Sequence, residues 1–363
     1  MLEDIKKEYM IFCNRLDAIK EYINLLDSEK NFVVLASCDK ELEENKKLTN
    51  IIQSIKNNTN SQVTYNAIII SLYSCYENFI DCILTKYLEL ISQLGISYNK
   101  LPSKILETQQ YQVGLFSSNP QRYSKVDLKC LEVIEKYNAC LKGNDNYELN
   151  TRLLLNHSNN LGLEALKNVF AQIGISDILK KIKCTDKFLN YYMKEKSLTD
   201  KKETKKILLS TKDSMIFYNL QDLVNRRNEI AHSWNEDDRL SIQSIKNEYI
   251  TFFLSIGEVI RDIIITEVYF VLYKNDLLNE FKTIHNVYNN SIVCLNNQDQ
   301  MLKKGDYIFV VSKSQKIVEI SNIQINNEDV ECVDETNIDV GIKVNSDIKI
   351  SNKFYYYKEQ KET

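Results

Sequence analysis

Two prolines and eight glycines are the only strong helix breakers in a chain of 363 residues. A helix that starts here meets little to stop it, because proline removes a backbone hydrogen bond and glycine adds entropy to the unfolded chain. Over most of the first 274 residues, apolar side chains recur at three- and four-residue steps, the repeat of one helical face. Residues 2–26 carry Ile5, Tyr9, Phe12, Leu16, Ile19 and Ile23 in that rhythm, and residues 40–55 form a more polar helix. Residues 63–94 are apolar on most sides, with Ile68, Ile69, Leu72, Tyr76, Phe79, Ile80, Ile83, Tyr87, Leu90 and Ile91, as expected of a central helix in a bundle.

The pattern weakens at 95–150, where Pro102, Gly114, Pro120 and Gly143 interrupt it, and loops with short helices are expected as an insertion. Helices resume at 161–173, with Gly174 as the C-cap, and continue through a lysine-rich stretch at 176–206 and then 213–231 and 240–274. After about Val287 the period changes. Short β-branched runs at 291–295, 306–311, 316–325, 330–333, 338–344 and 353–357 alternate with turn signals such as Lys304-Gly305-Asp306 and Asn326-Asn327. The expected architecture is mainly α: a helical domain over 1–284, with its core at about 60–272, then a small all-β barrel or sandwich over 287–363.

Lys and Arg total 46 against 50 Asp and Glu, a net charge of −4. Nucleic acid would therefore have to be met by a local patch, not by the whole surface. The nine cysteines form no CxxC pair and no zinc-like cluster with histidine. Free thiols are expected, no metal or cofactor, no membrane, and a cytoplasmic location.

The chain has three histidines, and His232 is the one set close behind a pair of arginines, in Asn225-Arg226-Arg227-Asn228-Glu229-Ile230-Ala231-His232. RNA carries its own nucleophile, the 2′-hydroxyl. Cleaving it needs a base, an acid for the leaving 5′ oxygen, and a cation over the phosphate. His232 can serve as base or acid, Arg227 can hold the non-bridging oxygens, and Asn228 can orient the imidazole or the phosphate. On a regular helix Arg227 and His232 lie roughly 140° apart, whereas Asn228 and His232 share a face. Either the helix ends or kinks near His232, or a second copy of the chain completes the site. The structural alternative is that Arg and His at a helix end cap carbonyls or pair with acids such as Glu229 or Asp237.

Residues 223–232 resemble the RNxxAH signature of the HEPN superfamily, helical nucleotide-binding domains that include many ribonucleases. Residues 69–80, an apolar helix with one acid, Glu77, resemble that family's early helix. Residues 156–175 are similar to a segment of a prokaryotic branch tied to toxin and defence loci. The resemblance covers about residues 60–272. It implies a homodimer in which two Arg/His motifs meet in one cleft and cut RNA without metal. Arg227 and His232 would be catalytic, with Asn228 assisting and Glu77 either facing the site or lying on the surface. In toxins silenced by a nucleotidyltransferase, a Tyr stands two residues after the His. Here it is Trp234, which rules out tyrosine modification at that place.

Residues 180–206 hold ten lysines against four acids, with Phe188, Tyr191 and Tyr192 interleaved. They are either a backbone-binding patch, with Lys201, Lys202, Lys205 and Lys206 beside Arg226 as RNA contacts, or a solvated helix whose aromatics face the core. His157 suits a cap or turn, and His285 is given no role. Residues 302–308 and 340–349 faintly resemble the barrel of translation-factor second domains, but 287–363 hold nine lysines and twelve acids, so that part is not a basic clamp. The expectation is an endoribonuclease acting as a toxin or anti-phage effector on cellular RNA, tRNA or mRNA, with an inhibitory or triggering protein partner. The alternatives are a non-catalytic RNA- or nucleotide-binding module and a regulatory protein that recognises through its β-domain.

Overall fold

The structure is a computed structural model that describes residues 1–37, 46–59, 61–123, 128–143, 146–157, 160–232, 239–297, 301–312 and 315–358. The principal helices are α1 (Glu3–Ser37), α2 (Lys46–Thr59), α3 (Gln62–Gln93), α4 (Ser103–Ser118), α5 (Cys130–Lys142), α6 (Leu163–Gln172), α7 (Ile178–Cys184), α8 (Asp186–Glu195), α9 (Lys201–Ser210), α10 (Tyr218–His232) and α11 (Ile250–Lys274). Single turns at Thr151–Leu154, Asp213–Ile216 and Ile242–Ser244 lie between them, and one π-helical turn, Ile245–Tyr249, leads into α11.

Among the helices the sequence misjudged three places, each for a physical reason. Helix α1 continues past residue 26 because Leu26, Val33 and Ala36 extend its buried stripe. The insertion holds helices of 16 and 13 residues, not short ones. Its prolines sit at element ends, where they break no helical hydrogen bond: Pro102 caps α4 and Pro120 opens the turn that follows. The lysine-rich stretch is three helices because Thr185 and Asp200 restart it; their side chains accept from Phe188 N, and from Lys202 N and Glu203 N.

Contacts divide the chain into two compact units. One comprises Glu3–Lys86 and Leu155–Arg261. Phe12 stacks on Phe79 at 4.2 Å, and Gly257 of α11 leaves the space for it, since a Cβ there would lie 2.4 Å from Phe12 Cε1. Gly257→Ala is expected to lower stability by ~1–3 kcal/mol, the usual cost of overpacking, read as a lower urea midpoint at unchanged slope.

The other unit comprises Met1–Leu2, Tyr87–Leu154 and Asp262–Thr363. Its strands are β1 (Asn279–Glu280), β2 (Ile284–Tyr288), β3 (Ile292–Asn297), β4 (Leu302–Lys303), β5 (Tyr307–Val311), β6 (Gln315–Ile325), β7 (Glu328–Val330), β8 (Cys332–Val333), β9 (Ile338–Val344) and β10 (Lys353–Tyr356). They form an antiparallel sheet in the order β1-β10-β5-β6-β9-β3-β2, with β7 on β6 and a separate β4–β8 pair. Strand β6 is long enough to pair β5 with its first half and β9 with its second. The register shifts between Ile320 and Asn322, and the sheet curls there around Val293, Leu295, Val310, Ile320, Ile323 and Ile342. The sheet takes up the chain at Asn279, before the β-branched runs begin, because β1 pairs Tyr355 and Tyr356 of β10, and Glu280 meets the Tyr355 hydroxyl and Lys353 across the pair, each at 3.4 Å.

Helix α3 is long and apolar enough to cross a membrane by composition, and 56% of its most apolar window is buried inside the fold. The eight described cysteines are free thiols, and Cys38 lies outside the described residues.

Candidate active site

Helix α10 turns Leu220, Leu223, Val224 and Arg226 inward. Successive helical residues are about 100° apart, so neighbouring arginines cannot share an environment. Arg226 is 7% exposed. Its Nε donates to Asp222 Oδ2 at 2.6 Å, one turn earlier, and a terminal nitrogen donates to the Tyr65 hydroxyl at 3.2 Å. The Tyr249 hydroxyl donates to the same oxygen of Asp222. Burial works against the guanidinium's charge, but Asp222 and Tyr65 outweigh it and raise the Arg226 pKa. Burial, and then the bond to Asp222, push the Tyr249 hydroxyl up. Arg226, expected at an RNA surface, is thus committed to the interior.

Arg227 is half-buried, with its guanidinium carbon 5.4 Å from the centre of the Tyr73 ring. One terminal nitrogen lies 3.4 Å from Asn228 Oδ1, which also accepts from the Asn160 side-chain amide. On α3, the Tyr73 hydroxyl donates to Glu77 Oε1 at 2.7 Å and accepts from Leu161 N at 3.1 Å. Burial, then the Glu77 bond, push that hydroxyl's pKa well up, which keeps it a neutral donor. The Tyr76 hydroxyl, three residues on, donates to Leu161 O at 3.1 Å. Two tyrosines therefore satisfy both backbone groups of one buried residue, and this fixes where Asn160 meets α10. His157, in the same segment, meets Asp81 at 3.2 Å, one turn beyond Glu77 on α3. It makes a side-chain pair with an acid and is more than a turn residue.

His232 is the last helical residue of α10 and is exposed. The helix reaches His232 unbroken from Arg227, so the two keep the spacing of a regular helix: roughly 140° around the axis and about 7.5 Å along it. The structure brings together Arg227, Asn228 and, through Tyr73, Glu77. It does not turn His232 toward Arg227 within one chain. Trp234 and Asp237 lie outside the described residues.

Of the lysine patch, Lys202, Lys205 and Lys206 are exposed, while Lys201 pairs with Asp186 at 3.1 Å. Two of the three aromatics face the core: Phe188 is buried against Phe217 at 5.6 Å, and Tyr191 packs on Phe188 and Phe252. No stacking platform is made of Phe188. Tyr73 and Asn160 are the site residues that sequence reasoning missed. Tyr73 could have been found as the residue one turn before Glu77 on the same face.

Beside Asn228 a groove of about 530 Å³ opens between α10 and the first turn of α6. It is lined by Asn160, Gln221, Val224, Asn228 and the chain from Gly162 to Ala165.

A family model described as RiboL-PSP-HEPN matches residues 35–266. No curated protein matches the chain at a significant level.

Proposed function

The chain belongs to the RiboL-PSP-HEPN family, and from that membership we propose that it is an endoribonuclease that cuts cellular RNA by 2′-hydroxyl attack, without metal, as a toxin or anti-phage effector. At the coarser level the helical part is a HEPN module of RNase-like or RNA-binding kind. The observation that carries the finer reading is the sorting of the two arginines. Arg226 is locked inside by Asp222, whereas among the described residues Arg227 is held by a ring face and an amide oxygen, which leaves its remaining N–H groups for a phosphate.

The reaction follows from the groups at hand. An imidazole takes the 2′-hydroxyl proton as that oxygen bonds to phosphorus. The P–O5′ bond breaks, and a second, protonated imidazole gives its proton to the 5′ oxygen. Arg227 neutralises the charge that grows on the non-bridging oxygens. The products are a 2′,3′-cyclic phosphate and a 5′-hydroxyl. Within one chain Arg227 and His232 point apart, so the reading requires a two-fold pairing of α10 helices. His232 of the partner subunit then stands near Arg227, and both imidazoles serve one cleft.

Arg227→Ala is expected to reduce cleavage about 10²–10³-fold, as loss of a transition-state donor does, and chelator is expected to leave the wild-type rate unchanged. Fluorescently labelled RNA in a gel assay reads both. A second reading, a non-catalytic RNA- or nucleotide-binding module, is favoured by the separation of Arg227 from His232 if the chain proves monomeric. A wild-type protein that is monomeric in analytical ultracentrifugation and inert toward RNA would select it.

A further inference from the structure

The groove beside Asn228 has a composition that singles out its ligand. Three amide side chains line it: Asn160, Gln221 and Asn228. Leu163 N bonds to Gln221 Oε1 at 3.3 Å, and Gln221 Nε2 donates to Asn225 at 3.0 Å. Asn160 gives one amide hydrogen to Asn228, whose oxygen is shared with Arg227. Among the described residues, this leaves both N–H groups of Asn228, the oxygen and second N–H of Asn160, and the second N–H of Gln221 for a ligand. Val224, 4% exposed, and Leu163, 7% exposed, supply apolar wall.

The start of a helix would ordinarily attract an anion, but Glu164 occupies that first turn and lines the same groove, with its carboxylate 80% exposed and paired with Lys167 at 2.8 Å. A phosphate there would face a carboxylate. A flat, neutral ligand with mixed donors and acceptors would not. A nucleobase is such a ligand, and unpaired RNA bases are read by hydrogen bonds to their edges. The volume falls within the range of about 300–1,000 Å³ common for small-molecule sites. The groove adjoins the cation that would hold phosphate, since Asn228 touches both.

We propose that this groove is a base-reading subsite: it takes one unpaired nucleobase of the RNA whose phosphate lies at Arg227, and Gln221, Asn160 and Glu164 read its edge. This rests on the RNA-cleavage reading above, and it adds sequence preference to a site that would otherwise cut by accessibility alone.

The test uses the full-length His232→Ala chain, expected to leave RNA intact over the measurement, and pentanucleotides that are abasic except for a central A, C, G or U. Binding is read by fluorescence anisotropy. One base is expected to bind at least about tenfold more tightly than the weakest, the worth of one or two edge hydrogen bonds. Gln221→Leu and, separately, Glu164→Gln should collapse that spread to within about threefold, on the same scale. Gln221 also supports the start of α6, so thermal denaturation is followed in parallel; the exposed Glu164 gives a variant that does not disturb the fold. Equal binding of all four bases, or a spread that survives both substitutions, overturns the proposal. So does equal competition by nucleoside 5′-monophosphates, which would mark a free-nucleotide site. Failure of the cleavage reading looks different: wild type would leave RNA intact whatever the base preference.

Discussion

Replacing His232 by Ala is expected to lower RNA cleavage by about 10²–10⁴-fold, the contribution of a positioned general acid or base. The folded state should not notice. His232 is exposed at the end of α10 and, among the described residues, supports no packing, so the urea midpoint should stay where it is in wild type. This separation of activity from stability makes the variant informative. If two imidazoles serve one cleft across a dimer, the substitution removes base and acid together, and the effect should sit toward the upper end of that range. Wild-type rates from the His232→Ala chain would remove this residue from the chemistry.

The second large effect falls on the residue next to the site. Breaking the Arg226–Asp222 pair by Asp222→Ala is expected to cost ~3–5 kcal/mol, because it leaves a guanidinium buried without its carboxylate. The side chains of the pair are 8% and 13% exposed, so solvent does little to soften the loss. Equilibrium urea unfolding measures it. The double change Asp222→Leu with Arg226→Met removes both charges and should recover much of the loss, since matched apolar replacement of a buried pair is often close to neutral. Arg226→Ala should impair activity only in step with folding, whereas Arg227→Ala should impair activity in a chain that remains stable. Equal behaviour of the two arginines would contradict the sorting seen along α10.

The helical core was legible because its signal is local. Proline and glycine are scarce, and the stripe of Leu72, Tyr76, Phe79, Ile80 and Ile83 marks α3 as central whatever surrounds it. Most of the β-strands were legible for the same reason, but β1, β2 and the two-residue β4 were not: β1 has no apolar alternation, and all three take their place from the strands they pair with, β10, β3 and β8. The site was legible in part. The motif named Arg227, Asn228 and His232, but no local rule could say which of two adjacent arginines faces inward. That was settled by Asp222 one turn back and by Tyr65 and Tyr249, which lie far apart in the chain. Tyr73 and Asn160 escaped for a related reason. Their roles depend on Leu161 meeting α3 across 88 positions of sequence, a contact no periodicity encodes. The lysine run left two readings open because composition does not tell which side a side chain takes. Thr185 and Asp200 cut it into separate helices, and Phe188 and Tyr191 turned toward Phe217 and Phe252.

If a guanidinium and an imidazole from this motif drive attack by the 2′-hydroxyl, the chemistry is written in the ends of the cleaved RNA. Purified wild-type protein, incubated with a defined single-stranded RNA in excess chelator, should leave 2′,3′-cyclic phosphate and 5′-hydroxyl termini by mass spectrometry. Arg227→Ala and His232→Ala should leave the RNA whole. Termini bearing 3′-hydroxyl and 5′-phosphate, or the same cyclic products from either variant, would contradict the account.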